Sequence, residues 1–171
     1  MANTVIRKAT LDDGKRLLEI YNYYVLETAV TFEITPPTQE EFRNRMEKTL
    51  LSYPFIVIEE DKKAVGYAYA GPFVGREAYK RSAEVTIYLD KDCRRKGYGG
   101  RLYRELEALL KNMGVTNLYA CIGDPIVEDE YLTKNSERFH EKMGYKKVGT
   151  FSRCGEKFGR IYNMIWMEKF I

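Results

Sequence analysis

Histidine is almost missing from this chain of 171 residues: there is one, His140. A metal centre built on histidines is therefore not expected. Cysteine is scarce too. Cys93, Cys121 and Cys154 are odd in number and lack Cys-x-x-Cys spacing, so neither a disulfide framework nor a zinc site is expected. No stretch approaches the roughly 20 apolar residues that span a bilayer, and the charges of Met1–Lys8 are followed by no long apolar run, unlike a secretory signal. Repeats, low-complexity tracts and linkers are absent as well. A net charge of +3 is too small to argue for nucleic acid without a local basic cluster. These absences point to a metal-free, cytoplasmic, single-domain protein over residues 1–171, with no membrane or nucleic-acid partner.

What is present fits such a domain. Hydrophobic residues make up 44% and charged residues 31%, the balance of a soluble globular chain. Tyrosine is abundant at 14 residues, and its amphipathic ring suits a half-wet cleft or a subunit interface. Hydrophobic periodicity predicts a strand at Val5–Arg7 and a helix from Thr10, which has Asp13 three residues on. A second helix starts at the capping box Thr38-Gln39-Glu40-Glu41 and stops before Pro54. Strands follow at Phe55–Glu59, Ala64–Ala70 and Ala83–Asp90. A glycine-rich turn then leads into a helix closed by Gly114. The remaining elements are a strand at Asn117–Ile122, a helix at Asn135–Met143 ending at Gly144, and strands at Lys146–Phe151 and Arg160–Met167. The expected fold is α/β, with a mixed sheet of six or seven strands and about four helices.

The segment Arg94-Arg95-Lys96-Gly97-Tyr98-Gly99-Gly100 lies between a strand and an amphipathic helix. That placement gathers backbone N–H groups at a helix N-terminus, where an anion is favoured. Glycines let the main chain curl around phosphate oxygens. The GxxxxGK[ST] spacing is absent, and Leu102 stands where a dinucleotide fingerprint needs Gly or Ala. On its own the motif also fits a tight turn with solvated cations. In the preceding strand, Ala83, Val85, Ile87 and Leu89 alternate with Glu84, Thr86 and Tyr88. The polar row lines either a cleft or an ordinary solvent face.

Arg94-x-x-Gly97-x-Gly99 after a strand resembles the pyrophosphate loop of the GNAT acyltransferases, and the flanking elements agree from about Ile6 to Met167. Within that superfamily the chain is most similar to phosphinothricin and methionine sulfoximine N-acetyltransferases, through Thr31-Phe32, Gly71-Pro72-Phe73, Ala83–Leu89 and Phe139–Tyr145. The resemblance implies acetyl-CoA as cosubstrate, held by the loop Arg94, Arg95, Lys96, Gly97, Tyr98, Gly99 and Gly100, by the strand Ile87, Tyr88 and Leu89, and by Asn135 and Ser136. It implies Glu84 as general base, because a substrate ammonium cannot attack a thioester before losing a proton. It places His140 where many GNAT enzymes carry a tyrosine general acid, four residues before Gly144; His140 there either acts as acid or hydrogen-bond donor toward the departing thiolate, or positions substrate or packs. Phe32 and Thr86, in the segments that carry the resemblance, are expected at the acceptor, and the resemblance suggests a homodimer; Arg76 and Tyr79, ahead of Glu84, are expected to hold the acidic end of an amino-acid substrate.

The family's usual asparagine, three residues before the serine of the last helix, is here Thr133. The pantetheine contact falls either to Asn135 or to Thr133 and Ser136. Cys93 is read as a small packing residue and not as an acetyl carrier. The expected reaction is direct acetyl transfer to the amine of a small amino acid or analogue. Polyamine, aminoglycoside or protein N-terminal acceptors remain open, as does a noncatalytic coenzyme A-binding module.

Overall fold

The computed structural model describes residues 3–93 and 95–171; Arg94, one of the expected loop cations, falls outside the described residues. Eleven helices and strands follow one another as β1 (Thr4–Lys8), α1 (Gly14–Glu27), α2 (Gln39–Leu50), β2 (Phe55–Glu60), β3 (Lys63–Pro72), β4 (Ser82–Leu89), α3 (Tyr98–Asn112), β5 (Asn117–Pro125), α4 (Asn135–Lys142), β6 (Lys146–Lys157) and β7 (Arg160–Phe170). Short 3₁₀ turns occupy Leu11–Asp13, Glu77–Tyr79 and Lys91–Cys93.

The helix starts follow from capping. Thr38 accepts the Glu41 amide at 3.2 Å, while the Glu41 carboxylate accepts the Thr38 amide at 2.7 Å, so two orphan donors of α2 are satisfied. Ahead of α1, the Thr10 amide donates to Asp13 at 2.8 Å across the 3₁₀ turn. Gly114 and Gly144 take left-handed backbones (φ 83° and 90°) just beyond α3 and α4.

The seven strands form one sheet in the order β1-β2-β3-β4-β5-β7-β6. Neighbours are antiparallel except β4 and β5, which run parallel. A parallel pair needs a crossover, and α3 supplies it. Period-two alternation then sorts the side chains into two cores. Ala68, Ala70, Ala83, Val85, Leu118, Ala120, Ile122, Ile165 and Met167 pack under Leu102, Tyr103, Leu106 and Leu110 of α3. On the opposite face Phe55, Val57 and Tyr67 meet Leu17, Tyr21 and Tyr24 of α1 and Phe42 and Met46 of α2. Among the described residues no helix is long and apolar enough to cross a membrane.

Strand β6 runs further than its sequence pattern predicts. Its register against β7 shifts between Phe151 and Gly155, where Arg153 has φ 55° and its amide is taken by the Asn163 side chain at 2.8 Å. Such a bulge breaks the alternation by which a strand is recognised.

Candidate active site

The sheet opens in the middle. β4 pairs with β5 only through Ser82, Ala83 and Glu84, opposite Asn117, Leu118 and Tyr119. Beyond that rung the two strands part, while β4 stays bonded to β3 as far as Leu89. Polar backbone of β4 from Val85 onward thus borders a gap and not a neighbouring strand. The gap holds a cavity of about 60 Å³ lined by residues of β4, β5, α3 and α4, including Thr86, Ile87, Tyr88, Tyr103, Cys121, Ser136 and His140. Its size suits a group of a few heavy atoms.

Glu84 sits on the last paired rung, immediately before the cavity-lining residues. It is half-buried, and burial raises its carboxyl above the ordinary value. Opposite it on β5, Tyr119 stacks on Phe73 with centroids 4.0 Å apart, and Phe73 meets Tyr79 at 6.2 Å and Trp166 at 5.5 Å, both edge-on. Tyr79 thereby joins the aromatic wall beside Glu84. Arg76 stands in the same loop, exposed, as the residue preceding the Glu77–Tyr79 turn. Thr86 lines the cavity and faces Tyr69 across the β3–β4 pair.

The glycine loop sits at the start of α3, as its sequence predicts, but its glycines have different duties. Gly97 has φ 78°, and a Cβ there would meet open space, so it alone among the three combines a left-handed backbone with room for a ligand. Gly99 is a packing glycine: a Cβ would come within 3.1 Å of the Phe139 ring. Gly100 faces Arg104 and Met143. The Tyr98 ring is buried and its hydroxyl donates to Glu60 at 2.7 Å, leaving its backbone for the loop. Lys96 is also held by Glu60, at 2.9 and 3.0 Å, while Arg95 is exposed. The first-turn amides of α3, which have no intrahelical acceptor, and these cations fit a diphosphate.

His140 is 3% exposed, and its two ring nitrogens have fixed partners. Nδ1 lies 2.7 Å from the Ser136 carbonyl, which only accepts, so Nδ1 carries the proton. Nε2 then accepts from the Tyr103 hydroxyl at 2.9 Å. Burial lowers the His140 pKa to about 4, leaving the ring neutral at physiological pH. The proton at this corner of the cavity belongs to Tyr103, which the sequence marks only as one more residue on the inward face of α3.

Asn135 is exposed at the start of α4, its amide 3.4 Å from the Thr133 hydroxyl, whereas Ser136 lines the cavity. Phe32 lies outside the cavity lining; its ring stacks on Tyr162 and rests over Gly123 and Gly155. The residue of that loop lining the cavity is Val30. Cys93 is a buried packing residue whose thiol is raised by burial. Cys121, unmarked in the sequence, lines the cavity with its pKa pushed up to about 11 by burial and by the charge of Glu84.

Comparison with known proteins shows the family to which the chain belongs. Residues 6–166 match the family model for the acetyltransferase (GNAT) domain. The phosphinothricin N-acetyltransferase of Streptomyces coelicolor is 32% identical, across 98% of this chain and 96% of that protein. The L-methionine sulfoximine/L-methionine sulfone acetyltransferase of Salmonella typhimurium is 28% identical, across 95% of this chain and 92% of that protein. Among solved structures, the phosphinothricin acetyltransferase of Sinorhizobium meliloti in complex with acetyl-CoA superimposes with a TM-score of 0.90 at 30% identity, covering 98% of this chain and 88% of that one. A family match over residues 6–166 identifies the chain as a member of the GNAT family and an acetyl-CoA-dependent N-acetyltransferase.

Proposed function

We propose that the enzyme acetylates the α-amine of a small amino acid or analogue bearing a second polar or anionic group, of the phosphinothricin or methionine sulfoximine type. Transfer is direct, within a ternary complex of homodimeric enzyme, acetyl-CoA and amine. The observation that carries this reading is Glu84: a half-buried carboxylate with a raised pKa, one residue ahead of the cavity where β4 leaves β5. An alkylamine with pKa near 10 arrives protonated at neutral pH, and a base of raised pKa removes that proton more readily.

Each neighbour then has a task. Loop amides and cations at Arg95–Gly97 hold the diphosphate, and the unpaired stretch of β4 receives the pantetheine arm and thioester carbonyl. Tyr103 donates its one hydroxyl proton to neutral His140 at rest and, on turning from Nε2 toward the cavity, protonates the departing sulfur; His140 works as a positioning acceptor and not as the acid. Cys121 stays a thiol at physiological pH and is a weak nucleophile, which favours direct transfer over an acetyl-cysteine intermediate.

A polyamine acceptor would require uncompensated acidic groups over the cleft. The acidic tract that could serve is already occupied: Asp129 pairs with Arg160 at 3.0 Å, Glu130 with Arg160 at 2.6 Å, and Glu128 with Arg138 at 3.3 Å.

The test is Glu84→Gln. Turnover is expected to fall by about 10²–10⁴-fold at neutral pH with acetyl-CoA affinity unchanged. The wild-type acid limb of kcat/KM should lie above the ordinary carboxylate range, because the base must be ionised and burial raises its pKa. The deficit of the variant should shrink as pH rises and free amine becomes available. Near wild-type turnover at neutral pH would remove Glu84 from the reaction.

A further inference from the structure

The loop between α1 and α2, residues 28–38, crosses the mouth between β4 and β5 and places Val30 in the cavity lining. Two helices hold its outer side. Tyr21 of α1 is hydrogen-bonded to Thr31 at 3.1 Å and to Glu33, and Arg45 of α2 grips both oxygens of Glu33 at 2.6 and 3.0 Å. Its inner side rests on the far end of the β6–β7 hairpin, 126 residues away in sequence, where the Lys157 ammonium donates to the Thr31 carbonyl at 2.8 Å.

Lys157 is out of character for its strand. Every residue of β6 from Lys146 to Cys154 is exposed, yet Lys157 is 4% exposed, the one buried lysine among the described residues. Burying an ammonium is costly unless its hydrogen bonds are made, and burial here lowers its pKa while Glu33 opposes that shift. A methionine of similar length would fill the same space without that cost. What the ammonium adds is a charge-assisted bond to the loop backbone.

Two residues earlier, Gly155 gives a second, independent contact. A Cβ there would lie 2.5 Å from the Phe32 ring, so the ring occupies the place where a side chain would be. On β5, Gly123 makes a similar allowance, with a Cβ position 3.0 Å from the Ala29 carbonyl and 3.5 Å from Phe32.

We infer that the tip of the β6–β7 hairpin is a latch for the acceptor loop, with Lys157 and Gly155 as positioning residues that fix Ala29–Glu33 where Val30 closes the cavity. Neither touches the reacting atoms. Both act through the loop, so they govern recognition of the amine, while most of the acetyl-CoA contact, the diphosphate at Arg95–Gly97 and the pantetheine arm along β4, is made by elements the latch does not touch. This rests on the proposed function, in which Glu84 deprotonates an amino-acid amine at the cavity that Val30 helps to line.

The experiment compares Lys157→Met and Gly155→Ala with wild type, measuring KM for methionine sulfone, KM for acetyl-CoA, and amide hydrogen exchange. In Lys157→Met the amine KM should rise about tenfold or more, the order expected for a lost charge-assisted bond, and in Gly155→Ala it should rise as well, because the new Cβ displaces the Phe32 ring. Acetyl-CoA KM should stay within about twofold, well short of that loss. Exchange should quicken in residues 28–38 and stay unchanged in the central strands. An unchanged amine KM, or an equal rise in both KM values, overturns the latch. If Lys157→Met does not fold, Gly155→Ala decides alone. If wild type acetylates no amino-acid analogue, the proposed function fails, and loop exchange still decides the latch: unaltered exchange overturns it.

Discussion

At the scale of single residues, Glu84 was legible and His140 was not. Alternation along Ala83–Leu89 puts Glu84 on the polar row, and the strand places it there. His140 lies in a family segment that suggests an acid, but a sequence does not say which atoms face a ring nitrogen. The Ser136 carbonyl and the Tyr103 hydroxyl settle its tautomer, and burial settles its charge. This has a consequence for stability. The unfolded chain protonates its histidine near pH 6.5, whereas the folded chain resists until about pH 4. Between those values the unfolded state binds more protons, so stability falls as pH falls through that window. The gap corresponds to roughly 3 kcal/mol. Denaturant titrations at several pH values should show that increment in wild type and lose it in His140→Gln, whose amide still partners Tyr103. Parallel curves for the two proteins would mean that His140 is not buried neutral.

At the scale of elements, the sequence carries nearly the whole order of helices and strands, because each is announced by period, cap or glycine. The Thr38–Glu41 box starts α2 where it predicts, and Gly114 and Gly144 end α3 and α4. The length of β6 was hidden because the bulge between Phe151 and Gly155 disrupts its alternation. The division of labour in the glycine loop was hidden as well. Gly97, Gly99 and Gly100 are equivalent as letters, yet only Gly97 is left-handed and open, while Gly99 makes room for Phe139 of α4. The acceptor loop was the least legible. Its anchors at Tyr21, Arg45, Gly155 and Lys157 come from three elements, and only the folded sheet brings them together.

At the scale of the whole molecule, β6 is an edge strand, solvent-exposed along nearly its full length and bearing Val148 and Phe151, with Phe158 and Ile161 exposed beside it. An edge of this kind invites pairing unless it is covered. The proposed homodimer should appear in light scattering at twice the 20.0 kDa of one chain; a single-chain mass at micromolar concentration would refute it. Function is the property least fixed by architecture, since one scaffold serves many acceptors. The cations Arg76, Lys80 and Arg81 stand exposed just ahead of Glu84, and a guanidinium fork suits a carboxylate or phosphinate while repelling a polyamine. The measurement that bears most directly on the account is relative kcat/KM, by release of free coenzyme A, for methionine sulfone against spermidine and kanamycin. The account predicts a clear preference for methionine sulfone; a higher kcat/KM for either polycation would contradict it.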